Sequence, residues 1–150
     1  MRVGIAGDHA AVKLKRGVVE HLRSQGHDVI DLGIDDPSAA DDYPDRAADI
    51  GRAITRRDVD VGVLLCGSGA GAAIAANKIH GVRAAVCHDS FTAHQAREDD
   101  DANVICLGER VVGPRLALEL IDIFLAARFS GLERHQRRLD KVLALERDGA

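Results

Sequence analysis

The chain has 150 residues, 46% hydrophobic and 29% charged, with a formal net charge of −4. That length and apolar fraction suit one domain with a sizeable core, and the acidic balance excludes a general binder of nucleic-acid phosphates. Tyr43, Phe91, Phe124 and Phe129 are the only aromatics, too scattered for a base-stacking platform, and no apolar run approaches the roughly 18 residues of a membrane span.

Short runs rich in Val and Ile alternate with helical stretches. A strand is expected over 2–6, running straight into polar residues and unlike a signal peptide. The helix expected over 10–25 carries Val12, Leu14, Val18, Val19 and Leu22 on one face, and Gly26 ends it. A strand over 28–32 leads into an acidic, solvated loop over 31–45, then a helix over 44–57. A third strand over 59–66 enters a glycine-rich turn and a helix of small residues over 70–79. A fourth strand over 82–87 precedes a helix over 91–99 and an acidic cluster over 98–101. A fifth strand over 104–107 precedes helices over 113–127 and 133–146. Strand–helix repetition of this kind predicts an α/β fold, a three-layer α/β/α sandwich around a five-stranded parallel sheet, with 1–150 as a single domain.

Cysteine usage points to a reducing, cytoplasmic setting. Cys66, Cys87 and Cys106 are odd in number, each lies in an apolar run, and no CxxC pair occurs. Zinc sites and thioredoxin-like redox chemistry therefore have little support.

Ligands of doubly wound sheets bind outside the carboxyl ends of the strands. Asp8 and His9 follow strand one, and Tyr43 lies in the loop after strand two. Cys66 ends strand three, His88 and Asp89 follow strand four, and Gly108, Glu109 and Arg110 follow strand five. The strongest local signal is Cys66-Gly67-Ser68-Gly69-Ala70-Gly71. Backbone N–H groups at such a helix start bind anionic oxygen, and the same partial positive charge stabilises a thiolate. The loop can therefore combine a base with an oxyanion cradle. Two plainer readings compete. Cys66 can be a small buried hydrophobe, as Cys87 and Cys106 are expected to be. Alternatively, Gly67-x-Gly69-x-x-Ala72 with Asp89 matches a dinucleotide fingerprint, which would make the chain a non-enzymatic nucleotide-binding module.

Several segments in order resemble ribose-5-phosphate isomerase type B and the related subunits of galactose-6-phosphate isomerase. They are Gly7-Asp8-His9-Ala10-Ala11-Val12-Lys13-Leu14-Lys15, Asp42-Tyr43-Pro44, the block from Cys66 to Ala85, Asp101-Ala102-Asn103-Val104, Gly108-Glu109-Arg110-Val111-Val112-Gly113 and Arg134-His135-Gln136-Arg137-Arg138. The resemblance covers almost the whole chain. It implies a Rossmann-like fold and an enzyme without metal or cofactor. It also implies a homodimer or a dimer of dimers whose active sites are shared between subunits. A third possibility is a subunit that needs a different partner chain, as in the galactose-6-phosphate enzymes.

The chemistry implied is aldose–ketose isomerisation of a phosphorylated sugar, ribose 5-phosphate first, through a cis-enediolate. Some relatives use a glutamate on the helix after the glycine loop as base; Ala72 and Ala73 stand there in this chain, which leaves Cys66. Ser68 and the amides of Gly69, Ala70 and Gly71, beside Gly67, are expected to hold the enediolate oxygens. The resemblance assigns the phosphate to Arg134 and Arg138 with His9, and the sugar to Asp8 and Tyr43. Asn103 is expected near the enediolate, and Arg110 is expected to reach the substrate from the partner subunit. Each also has a plainer role open to it: Asp8 as a helix cap, Tyr43 as a loop wedge, Asn103 as the start of a strand, and the i,i+4 arginines as a solvated face. The helix over 133–146 is expected to supply both phosphate ligands and dimer contacts.

One departure bears on the substrate. The family pattern before the fifth strand is His-Asn-Asx-Ala-Asn, and here it reads Asp99-Asp100-Asp101-Ala102-Asn103. Asp99 thus replaces the ring-opening histidine. Either Asp99 is protonated in the site and shuttles the proton, or His9 opens the ring, or the substrate needs no opening. The last option points to erythrulose 4-phosphate; allose 6-phosphate is a further alternative.

Overall fold

The computed structural model describes residues 1–149. Strands β1 (Arg2–Gly7), β2 (Asp28–Asp31), β3 (Val61–Cys66), β4 (Ala84–Val86) and β5 (Val104–Gly108) form one parallel sheet in the order β2-β1-β3-β5-β4. The helices are α1 (Val12–Ser24), α2 (Tyr43–Thr55), α3 (Ala70–Ala76), α4 (Ser90–Glu98), α5 (Pro114–Ala126) and α6 (Glu133–Asp148). The expected α/β/α sandwich is the architecture observed. Among the described residues no helix is long and apolar enough to cross a membrane.

Period-two side-chain alternation splits each central strand between two apolar layers. From β3, Val61, Val63 and Leu65 join Leu14, Val18 and Leu22 of α1, Ala93 of α4 and Leu120, Ile121 and Phe124 of α5. Leu64 and Cys66 face the other way, onto Ala47 and Ile50 of α2 and Ala72, Ala73 and Ala76 of α3. Both faces are covered, so the whole strand is buried and reads as an unbroken apolar run.

Bounds differ from expectation by up to three residues, as where β3 begins at Val61 and α3 ends at Ala76, and two of the differences have a visible cause. The first helix opens as a 3-10 turn at His9–Ala11, because the Asp8 side chain accepts the Ala10 N–H and caps it. The fourth strand is only three residues long because side-chain amides take over its flanks. Asn103 accepts from the Arg83 N–H and donates to the Gly81 carbonyl, each at 2.8 Å. Asn77 clasps the N–H and carbonyl of Ala84, also at 2.8 Å. The sheet's open edge is thereby blunted.

Lys15 is a buried cation that the sequence reading assigned no role. Its Nζ donates to both oxygens of Asp31 (2.8 and 2.7 Å) and to Asp35 (2.9 Å), tying the long loop after β2 to α1. The hydrogen bond from Lys15 holds the Asp35 carboxyl below the usual carboxylate range. The signal was available: Lys15 lies three and seven residues before Val18 and Leu22, on the apolar face.

The chain leaves β1 toward β2 and returns to β3 on the other side of β1. The carboxyl ends of β1 and β3 therefore flank a topological switch point, where a crevice opens.

Candidate active site

At that switch point lies a cleft of about 340 Å³, lined by Asp8, His9, Tyr43, Cys66, Ser68 and Arg110, with Gly67 and Gly71 beside them. Cys66, the last residue of β3, is only 4% exposed. The Gly69 N–H donates to its Sγ at 3.0 Å, the kind of contact a thiolate accepts. That turn requires glycine. Gly69 has φ +82°, and a Cβ there would stand 3.2 Å from the Leu107 carbonyl carbon. The other two thiols have no such setting: burial pushes Cys87 up to about 12 and raises Cys106 as well, so both stay protonated at neutral pH.

Close approach shapes the rest of the cleft. A Cβ on Gly108 would fall 2.6 Å from the Ser68 Cα, and one on Gly71 would fall 2.7 Å from Tyr43 Cζ. Gly71 therefore lets the Tyr43 ring sit against backbone, and Gly108 lets the backbone of Ser68 do so. The Ser68 hydroxyl accepts from the Ala70 N–H at 3.3 Å. Tyr43 is the first residue of α2 and remains 41% exposed, so its ring is a wall of the cleft and not core. Asp8 lines the cleft while one of its oxygens caps the 3-10 turn. His9 Nδ1 lies 2.8 Å from the Asp41 carbonyl; a carbonyl only accepts, so Nδ1 carries a proton and donates to it.

Arg110 requires a correction. It was expected to reach the substrate from a partner, but it lines the cleft of its own chain. Its backbone N–H donates to the Gly67 carbonyl at 3.1 Å, and its guanidinium lies beside Gly67. Asp89, the acid required by the dinucleotide reading, caps α4 instead. It accepts from Thr92 N and Oγ1 at 2.8 and 2.6 Å.

The remaining expected residues lie at the other end of the sheet. Cys66 pairs level with Gly108, and Gly62 with Val104. Asn103 is therefore about five residues, or roughly 16 Å, from Cys66 along the strands. Asp99 ends α4 beside His135 of α6. From there α6 runs along the amino ends of the strands to Gly81, whose N–H its Glu146 accepts at 2.6 Å. Arg134 and Arg138 are exposed near the start of that helix. One chain thus divides the expected site between two ends of its sheet.

Two assignments change as a result. The Asn103 amide is engaged on both sides by the segment before β4, so it is a structural group tied to its own chain. Asn103→Ala is expected to destabilise the fold by about 2 kcal/mol, two net hydrogen bonds, in urea unfolding, and to leave KM near wild type. Unaltered stability with a raised KM would restore the substrate role. Asp99 accepts from Gln95 Nε2 at 3.0 Å and faces His135 Nδ1 at 3.4 Å. Both of its oxygens face groups of its own chain.

A thiol beneath a backbone N–H thus lies at the switch point of a parallel sheet, among polar groups able to hydrogen-bond a sugar, in an α/β/α fold. The chain belongs to the Ribose/Galactose Isomerase family, which it matches over residues 3–142. The structure of Clostridium thermocellum ribose-5-phosphate isomerase B superposes with a TM-score of 0.96 at 42% identity, covering 100% of both chains. Ribose-5-phosphate isomerase B of Mycoplasma genitalium, solved with bound ribulose 5-phosphate, superposes with a TM-score of 0.92 at 42% identity, covering 98% of this chain and 97% of that one. D-Erythrulose-4-phosphate isomerase of Pectobacterium atrosepticum is 42% identical over 131 residues, 87% of this chain and 86% of the relative.

Proposed function

We propose that this protein is a cytoplasmic aldose–ketose isomerase that interconverts ribose 5-phosphate and ribulose 5-phosphate through a cis-enediolate. The observation that carries the reading is the Gly69 N–H aimed at the Cys66 sulfur inside the switch-point cleft. The Cys66 thiolate removes the proton from C2 and returns it to C1. The Gly69 and Ala70 N–H groups are taken by Cys66 and Ser68, which leaves the Ser68 hydroxyl and the Gly71 amide for the oxygens on which negative charge develops. Asp8 hydrogen-bonds sugar hydroxyls, Tyr43 packs beside the carbon chain, and Arg110 adds positive charge at the cleft wall.

Arg134 and Arg138, with His9, clamp the phosphate. Both arginines lie at the far end of their own sheet, so they serve the cleft of a second copy. A two-fold homodimer, alone or paired into a tetramer, sets the amino end of each sheet against the carboxyl end of the other and completes two sites.

Asp99 favours a second reading. A ketose such as erythrulose 4-phosphate cannot close a furanose with its phosphate in place, so it needs no ring opening, and one relative carries that activity in its name. Measuring kcat/KM in parallel for ribose 5-phosphate, allose 6-phosphate and erythrulose 4-phosphate separates the readings. The highest value is expected for ribose 5-phosphate; a dominant activity on the tetrose would replace it as substrate.

A further inference from the structure

His135 is 3% exposed and the phosphate clamp described above gives it no part. Arg134 Nε lies 3.0 Å from His135 Nε2. A guanidinium only donates, so Nε2 must be the acceptor and the ring proton must sit on Nδ1. Nδ1 then donates to Ser130 Oγ at 2.6 Å, with Asp99 Oδ1 3.4 Å away. The far members are fixed in turn. Gln95 donates to the other Asp99 oxygen at 3.0 Å, and the Ser130 N–H donates to the Glu98 carbonyl at 3.0 Å. The polar chain therefore runs in one direction, from Arg134 through His135 to Ser130 and Asp99.

This arrangement occupies Nε of Arg134 and leaves Nη1 and Nη2 without a protein partner among the described residues. Those two nitrogens form the donor fork that matches phosphate oxygens. We propose that His135 is a positioning residue: it pins Nε of Arg134 and so aims the free end of the guanidinium at the phosphate of the sugar substrate. The assignment rests on the clamp reading above and extends it. Asp99 acquires a role within it. Standing where relatives carry a ring-opening histidine, it supports the Nδ1 side of His135 and acts on substrate only through that ring. A pre-aimed arginine loses less side-chain freedom on binding than a solvated one, so the device acts on affinity more than on the proton transfer.

Steady-state kinetics of His135→Asn and His135→Gln, with inorganic phosphate as competitive inhibitor, test the proposal. Asn keeps a polar group where Nδ1 meets Ser130 and removes the acceptor for Arg134; Gln can bring its carbonyl oxygen to the Nε2 position. In H135N, KM and the phosphate inhibition constant are expected to rise together about tenfold while kcat changes less than about threefold. H135Q recovers most of the affinity. Adding H135N to Arg134→Ala adds little to the defect of Arg134→Ala alone. Unaltered phosphate inhibition in H135N, or a defect that adds in full to that of R134A, overturns the positioning role. So does a loss of kcat and thermal stability in both His135 variants without a change in phosphate affinity. If R134A itself leaves KM unaltered, the clamp reading falls, and the positioning role with it. If R134A raises KM and H135N does not, only the positioning role falls.

Discussion

Cys66→Ala is expected to abolish isomerisation, lowering kcat by about 10³-fold, the contribution of a positioned general base, while the protein stays folded. The sulfur lies at a strand end and lines an open cleft. Its removal widens that cleft and leaves no sealed cavity, so the large penalty of core truncation does not apply in full. The Gly69 N–H then turns to water. Ketose formation assayed beside a thermal melt checks both halves. Retention of more than a tenth of wild-type kcat would sink Cys66 as the base. Neither remaining thiol can compensate: burial keeps Cys87 and Cys106 protonated, and neither lines the cleft.

The second large effect is complementation. Arg134→Ala/Arg138→Ala removes both phosphate-binding arginines while leaving the cleft of its own chain intact. At substrate concentrations below the wild-type KM, this variant and Cys66→Ala are each expected to be nearly inactive. Mixed and reassorted, they form hybrid dimers. In a hybrid, one site combines an intact Cys66 with an intact arginine pair, and the other site carries both defects. Random reassortment makes about half the dimers hybrid, so about a quarter of all sites, and of wild-type activity, returns. If each chain carried a complete site of its own, mixing would restore nothing. Recovery of activity after mixing differently tagged chains is therefore a direct reading of site sharing.

The sequence was most legible where backbone geometry demands a residue type. Gly69 needs a left-handed φ, and Gly71 and Gly108 need room for Tyr43 and Ser68, so the 66–71 loop stood out before any coordinates. Strand runs covered on both faces were equally plain, since each must be apolar throughout. Edge pairing was less legible. The fourth strand shrank because Asn77 and Asn103 replace ladder partners, and no periodicity announces a side chain acting as backbone. Least legible was which end of the sheet a residue occupies when it follows no strand. Asp99 and Asn103 precede β5, and α6 comes after the last strand, so the rule that sorts loops by the strand they follow is silent about them. Only the packing of α6 along the amino ends places Arg134, Arg138 and His135 there. The Asp99–His135 contact was hidden for the same reason: its partners are 36 residues apart and meet only through that packing.

The amide clasp on β4 has a bearing on how copies of the chain can meet. An unclosed strand invites another strand, and sheets that extend across molecules grow without limit as aggregates. Here Asn77 satisfies both backbone groups of Ala84 on the open side of β4, and β2 at the opposite margin is four residues long with an aspartate at each end. Sideways growth is disfavoured at both margins. What remains open to self-association is contact through sheet ends and helix faces, which can terminate at a finite particle and cannot propagate as a ribbon.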